Sequence, residues 1–301
     1  MIAGMLPLLL ATLVALLTSP APSPLRLAAS AFGRPAEIEV RDLPQETARE
    51  AIHRAFAEIA DVERLADPAR ADGGLAALNA AAGKGPLTVD SRLLTLLGRA
   101  SDFCFWSEGA HGPVRVEQPA GLTDCSRLRL DRQKCTAELA EGSRLDLRGF
   151  AEGFAVDRAV EILKQAGGGN GLVRIGTVQR GFGAGPAGKG WAVELPQLPG
   201  LEEPAGQIYL QNRAVVMASS SDLYVNQRTG KPPQGVLLTV AVTEQAADAQ
   251  GLAASLFITG PREGQLRLGS LKPRPSVLWF LGSGAGAPLQ VDYRWSEVGR
   301  R

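Results

Sequence analysis

The sequence predicts an α+β fold, and three observations carry that prediction. Two long helical patterns stand near the front, short β-branched runs dominate from Gly121 onward, and only two further helical patterns interrupt those runs, which leaves no regular βαβ alternation. In order along the chain, AEIEV (36–40) follows a short polar-tolerant linker and alternates as a half-buried strand does. From about Glu46 to Ala66 the residues Ile52, Ala55, Phe56, Ile59 and Val62 share one helical face, and His53 falls off that stripe toward solvent. A loop rich in Gly, Ala and Asp runs to LAALN (75–79). Asp90 is then placed to cap the helix SRLLTLLGRASDFCFW (91–106) by accepting from its first turn. After the turn SEGAHGPV (107–114), helices are expected near Glu152–Ala166 and Gln245–Thr259. Their neighbours LVRIGTV, WAVEL, RAVVMAS and GVLLTVAV read as sheet strands. Pro196–Gly206 and Gly282–Pro288 read as surface loops.

With 45% apolar residues the 301-residue chain can bury a sizeable core, as one domain or two closely joined ones. Its 32 Lys and Arg nearly cancel 31 Asp and Glu, which leaves no strong field to gather nucleic acid or anionic lipid. The apolar run Leu6–Leu17 is the length of a signal-peptide core and short for a membrane span. Residues 1–28 are therefore expected to be an export signal, or an N-terminal anchor facing the periplasm if uncleaved. The chain has 3 cysteines, an odd count. Cys104 lies on the apolar stripe of the 91–106 helix as a small buried hydrophobe, and Cys125 and Cys135 flank an expected hairpin where an oxidising compartment would permit a disulfide.

Two familiar signals dissolve on inspection. GAGPAG (183–188) has the glycine spacing of a dinucleotide fingerprint, but Pro186 and the strand-like WAVEL leave no helix to receive a diphosphate. GGGNG (167–171) lacks the Lys-Ser/Thr ending of a phosphate loop and reads as a helix C-cap and turn. With only 2 histidines and scattered cysteines, a zinc site or His-dependent hydrolase has little material. The informative segment is RLDLRGFAEGFAVDRAVEILKQAGGG (144–169), in which a strand ending near Leu147 meets a helix starting near Ala151 with the stripe Val156, Ala159, Val160, Leu163. Gly149 and Gly153 leave room for a ligand to approach the backbone, and the helix N-terminus offers N–H groups suited to a diphosphate. Asp146 and Glu152 bracket this turn, where a hard cation could bridge them to phosphate. An acidic first turn also stabilises a helix by itself, by roughly 0.3–1 kcal/mol, so spacing alone leaves both readings open.

The segment LDLRGFAEGFAVDRAVEIL resembles the strand–turn–helix signature of the ApbE family, the FAD:protein FMN transferases. LAALN, SEGAHGPV, VNQRTGKP and AQGLAASLFITGP resemble further family segments in consistent order, from about Phe32 to Gly269. The resemblance implies an ApbE-type fold with a T-fold-like sheet core and flanking helices over 29–270, followed by a C-terminal strand and tail over 271–301. It implies Mg²⁺-dependent transfer of FMN from FAD to a Thr or Ser of an exported target protein, with AMP released. Flavin-contacting positions would be Asn79, Ala110, His111, Gly112 and Asp146; metal positions would be the Gly149 carbonyl, Glu152, Gln250 and Ala254. Several of these depart from the family pattern. Gln250 and Ala254 stand where the family has a metal-binding Asp and Thr, His111 and Gly112 replace Phe-Asp, and Thr177 and Val178 replace Gly-Asp. Leu223 replaces a His, and Asn226-Gln227 replace Asp-Pro. A neutral Gln is a much poorer Mg²⁺ ligand than a carboxylate, so the metal site is expected to be weakened. Asp248 could compensate only if the last helix ran in a shifted register. The resemblance therefore allows a transferase of reduced activity, or a catalytically inactive relative that binds flavin or a partner.

Overall fold

Along Arg213–Ser219, Ala214, Val216 and Ala218 pack into one apolar cluster while Val215 and Met217 pack into another, and all five are buried. A strand buried on both faces must lie between two layers, and the rest of the chain supplies them. The computed structural model describes residues 23–118, 122–282 and 286–298. Leu6–Leu17 and part of the 282–288 stretch lie outside the described residues, among which no helix is long and apolar enough to cross a membrane.

The front half runs β1 (Leu25–Ala31), β2 (Arg34–Val40), α1 (Gln45–Ala66), α2 (Gly74–Ala80), β3 (Leu87–Thr88) and α3 (Ser91–Trp106). Short strands β4 (Val114–Val116), β5 (Leu128–Asp131), β6 (Thr136–Leu139) and β7 (Ser143–Leu145) lead to α4 (Ala151–Gln165). The remainder comprises β8 (Gly171–Ile175), β9 (Val178–Phe182), β10 (Trp191–Gln197), β11 (Pro204–Leu210), β12 (Arg213–Ser219), β13 (Val236–Thr243), α5 (Ala246–Leu268), β14 (Ser276–Leu281) and β15 (Leu289–Tyr293). An 8-stranded sheet in the order β1-β2-β8-β9-β12-β13-β14-β15 forms the middle layer. Every neighbouring pair in it is antiparallel. Helices α1, α4 and α5 cover one face with Ile52, Ile59, Val156, Val160, Leu252 and Leu256. The β10–β11 hairpin covers the other with Trp191, Val193, Ile208 and Leu210. Each fully buried side chain of this kind contributes about 1.5–3 kcal/mol.

The expected α+β class holds, as do both front helices and the cap, where Asp90 accepts from the Arg92 N–H at 2.8 Å. Three expectations are corrected, and one helical segment is added. The stretch before AEIEV is a strand, since β1 pairs with β2 around Phe32 and Gly33, whose φ values of 54° and 69° match the two-residue turns that suit strand twist. LVRIGTV is not one strand, because Gly176 at φ 53° reverses the chain and β8 pairs with β9. Pro196–Gly206 is a loop only over 198–203, and its two ends belong to β10 and β11, where Pro196 and Pro204 are tolerated in a sheet of 2 strands. The last expected helix does end at Thr259, where Gly260 (φ 72°) breaks the helical backbone, and a further helical segment, not expected, starts at Pro261, a residue whose fixed φ suits a helical start.

The cysteine expectation is also corrected. Cys104 bonds Cys125, and Cys135 stays free. Cys135 sits within the β5–β6 turn rather than beyond the strand ends, and the hairpin register, Leu128 opposite Leu139 and Asp131 opposite Thr136, carries it away from Cys125. Alkylation of denatured, unreduced protein from an oxidising compartment is expected to modify Cys135 alone, with the Cys104 and Cys125 peptides recovered as one linked species. Recovery of a Cys125–Cys135 peptide would contradict the pairing.

Candidate functional site

The 144–152 turn is assembled by contacts from distant elements. Asn79 on α2 spends its whole amide on Leu145: the Leu145 N–H donates to Asn79 Oδ1 at 2.7 Å, and Asn79 Nδ2 donates to the Leu145 carbonyl at 3.2 Å. The Asp146 N–H donates to the Pro113 carbonyl at 2.8 Å, joining this turn to the 107–114 segment. A cavity of about 1030 Å³ opens in front, lined by Asp146, Gly149, Glu152, His111 and Gln250 together with Arg34, Arg115, Arg148, Asp222 and Tyr224. Cavities of this size suit a cofactor-sized ligand.

The two acids expected to share the turn do face this one cavity, but each has its own partner. Asp146 accepts from Arg148 Nε at 3.1 Å and Nη2 at 2.6 Å, and from the Arg148 N–H at 3.0 Å. Burial pushes its pKa up, and these bonds overcome that and hold it below the usual carboxylate range. The N–H groups at the start of α4, expected to be free for a diphosphate, are largely used. Those of Phe150 and Ala151 donate to the Leu147 carbonyl, and that of Gly153 donates to Gln250 Oε1 at 2.7 Å.

Of the 110–112 turn, only His111 reaches the cavity. Ala110 and Gly112 are scaffold, because Gln227 fixes both: its N–H donates to the Ala110 carbonyl at 3.0 Å and its Oε1 accepts from the Gly112 N–H at 2.9 Å. The His111 ring stacks on Phe150 at 4.6 Å and stands edge-on to Tyr224 at 6.1 Å. Burial, and then Arg115, lowers its pKa to about 3, so the imidazole is neutral at physiological pH. The nearby Gly149 backbone pulls slightly the other way, yet neither ring nitrogen has a well-formed hydrogen bond. Gly149 is required by this packing, since a Cβ there would lie 2.7 Å from His111 Cε1.

Glu152 sits at the centre of a second network. Its Oε2 accepts from Gln250 Nε2 at 2.7 Å and its Oε1 pairs with Arg34 Nε at 3.2 Å, while Arg34 Nη2 donates to Asp222 Oδ1 at 3.2 Å. Burial raises Glu152 to about 7 despite Arg34. A hard cation needs several oxygen ligands, and these residues do not fit one. Both Glu152 oxygens are engaged, the Gln250 oxygen is held by Gly153, and Ala254 is fully buried without a donor atom. The shifted-register rescue fails too, because Asp248 pairs with Arg99 at 2.6 Å. Among the described residues no group of three or more His, Cys, Asp and Glu is gathered to hold a metal ion.

Sequence reasoning gave no role to Arg34, Asp222, Tyr224 or Asp157. Asp157 ends the Ala-Val-Asp of the signature, and its carboxylate accepts from Arg180 at 2.7 Å and from the N–H groups of Ala246 and Ala247 at 2.8 and 2.9 Å. It therefore caps α5 from across the layer and sets Gln250 against Glu152. Gly153 allows the same approach, because a Cβ there would collide with the Ala246 carbonyl.

The helix-backed antiparallel sheet is shared with solved flavin transferases. The Vibrio cholerae flavin transferase ApbE superposes with a TM-score of 0.80 at 19% identity, covering 91% of this chain and 98% of that one. The apo flavinyl transferase ApbE of Pseudomonas stutzeri gives 0.81 at 18% identity, covering 94% and 98%. The sequence profile of the ApbE family matches residues 113–275, and the chain belongs to that family. A FAD:protein FMN transferase of Haemophilus influenzae is 30% identical over 167 residues, 49% of this chain, and the match spans only about half (48%) of that relative's length. One from Treponema pallidum is 25% identical over 258 residues, 70% of this chain and 71% of that relative.

Proposed function

We propose that the cavity binds a flavin dinucleotide and that the chain is an exported, FAD:protein FMN transferase-like protein with reduced transfer activity. The observation that carries this reading is the meeting of Asp146, Gly149, Glu152 and His111 at one cofactor-sized cavity, at the turn that also carries the family signature. The reaction would join a Ser or Thr hydroxyl of a target protein to the phosphorus of the FMN half of FAD, releasing AMP. Such chemistry depends on positioning and on neutralising phosphate charge. Here Arg34, Arg115 and Arg148 supply positive charge at the cavity wall, and the neutral His111 ring forms part of that wall. The Mg²⁺ expected from the resemblance finds no fitting donor set, and Leu223, 87% exposed at the rim, has no group to accept the hydroxyl proton. Those two features are the ground for reduced activity, and they also favour a second reading in which flavin is bound without turnover. Export is supported by the Leu6–Leu17 run and by the Cys104–Cys125 disulfide, which suits an oxidising compartment. Purified protein is expected to quench FAD fluorescence and, with a Ser/Thr-bearing acceptor, to release AMP slowly. Quenching without AMP release would select the second reading, and no quenching at all would end both.

A further inference from the structure

We infer that Arg34 takes the place of a divalent cation at this site, so that the diphosphate of a bound nucleotide is held by a guanidinium and binding needs no metal. The inference rests on the cavity being a nucleotide site. Arg34 opens β2 directly after the Phe32–Gly33 turn and reaches across to α4, where it meets the carboxylate that a cation would have bridged. Its route is built into the fold, since Gly176 lies beside its stem and a Cβ there would come within 2.8 Å of Arg34 Cδ. Nε serves Glu152 and Nη2 serves Asp222, both at 3.2 Å, and Nη1 has no partner among the described residues. The side chain is 40% exposed and lines the cavity, so that free edge of the fork is open to an incoming anion.

The surroundings favour the guanidinium over a metal for a reason of hydrogen-bond polarity. Gln250 turns its Nε2 hydrogens toward Glu152, and a donor so placed repels a cation while holding a carboxylate. Turning the amide over would strip the Gly153 N–H of its acceptor inside a buried helix contact. Ala254, one turn further on, is buried and has no side-chain oxygen. Arginine keeps its charge at any working pH and matches phosphate oxygens two at a time, which a point cation on weak ligands does not. With the N–H groups of Phe150, Ala151 and Gly153 already committed, the Arg34 guanidinium is a charged group at this end of the cavity with a donor to spare.

The test measures dissociation constants of FAD, ADP and riboflavin for the full chain, in EDTA and in excess Mg²⁺. FAD and ADP are expected to bind equally well in both. Arg34→Met is expected to weaken both by about tenfold or more, the loss typical of a charge-assisted bond, and to leave phosphate-free riboflavin unchanged. Mg²⁺ tightening the wild type by that factor would overturn the inference without needing any variant to fold, and so would an Arg34→Met protein that binds FAD and ADP as the wild type does, or one that loses riboflavin equally. If ADP follows the expected pattern and neither flavin binds, the arginine site stands and the flavin reading falls. If FAD binds only with Mg²⁺, the flavin reading stands and the arginine site falls. If no nucleotide binds in either buffer, both fall.

Discussion

Asp157→Ala is expected to destabilise the protein by about 3–5 kcal/mol, the cost of breaking a buried ion pair by removing one partner. Asp157 and Arg180 have side chains 7% and 10% exposed, so the arginine would be left charged with little water to replace its carboxylate. The Ala246 and Ala247 N–H groups at the start of α5 would lose their acceptor at the same time. Gln245 Oε1 also accepts from Arg180, at 2.9 Å, and softens the loss without supplying charge. Because the same carboxylate docks α5, flavin binding should weaken along with stability as Gln250 moves from Glu152. Urea unfolding with a tryptophan fluorescence readout measures the first effect. A loss below about 1 kcal/mol, the value of a single ordinary hydrogen bond, would show that the cap is not held as described.

How much of this was legible in the sequence follows from which interactions are local. The stripes of α1, α3 and α4 and the β-branched runs of β12 and β13 declare themselves because neighbours along the chain share one face. β1 escaped because LRLAASA is small and weakly alternating, and its turn places Phe32 at positive φ, a site where sequence reasoning looks for Asn or Gly. β10 was legible as WAVEL, while β11 hid behind Pro204 in a stretch that reads as loop. At the site, Asp146, Gly149 and Glu152 lie within one turn, so their meeting was readable, and Gln250 followed from resemblance although it lies 98 residues from Glu152. Arg34 and Asp222 are 188 residues apart and come from a strand start and a single 3-10 turn; nothing in either segment points to the other. The partners of Asn79, Ala110 and Gly112 belong to the same class of long-range information. Resemblance put these residues near the site, and only the fold shows that they hold its walls while His111 faces the cavity.

Glu152 gives the second large effect, and its direction is fixed by the burial of its carboxyl. The folded pKa of about 7 lies above the ordinary 4.5, driven by burial and, further off, by Asp222 and Glu63, against the pull of Arg34 and Gln250. A group of this kind favours the folded state fully below pH 4.5, where it is protonated folded and unfolded alike. That contribution is lost as pH rises through about 7, because the unfolded chain ionises more readily. At about 1.4 kcal/mol per pKa unit, the span from 4.5 to about 7 amounts to about 3 kcal/mol. In the metal-free, ligand-free protein, the stability of Glu152→Gln relative to the wild type is therefore expected to rise by about that much between pH 4.5 and pH 8, most of the change falling between the two pKa values. The Arg34 pair acts only on the ionised carboxylate and is already contained in that folded pKa, so it adds no separate pH dependence. Unfolding free energies across the series decide it: parallel curves would mean that the carboxylate is ionised throughout, fully compensated by Arg34. An anion bound beside Glu152 would raise its pKa further, so the same titration predicts that FAD binding takes up a proton and weakens above neutral pH.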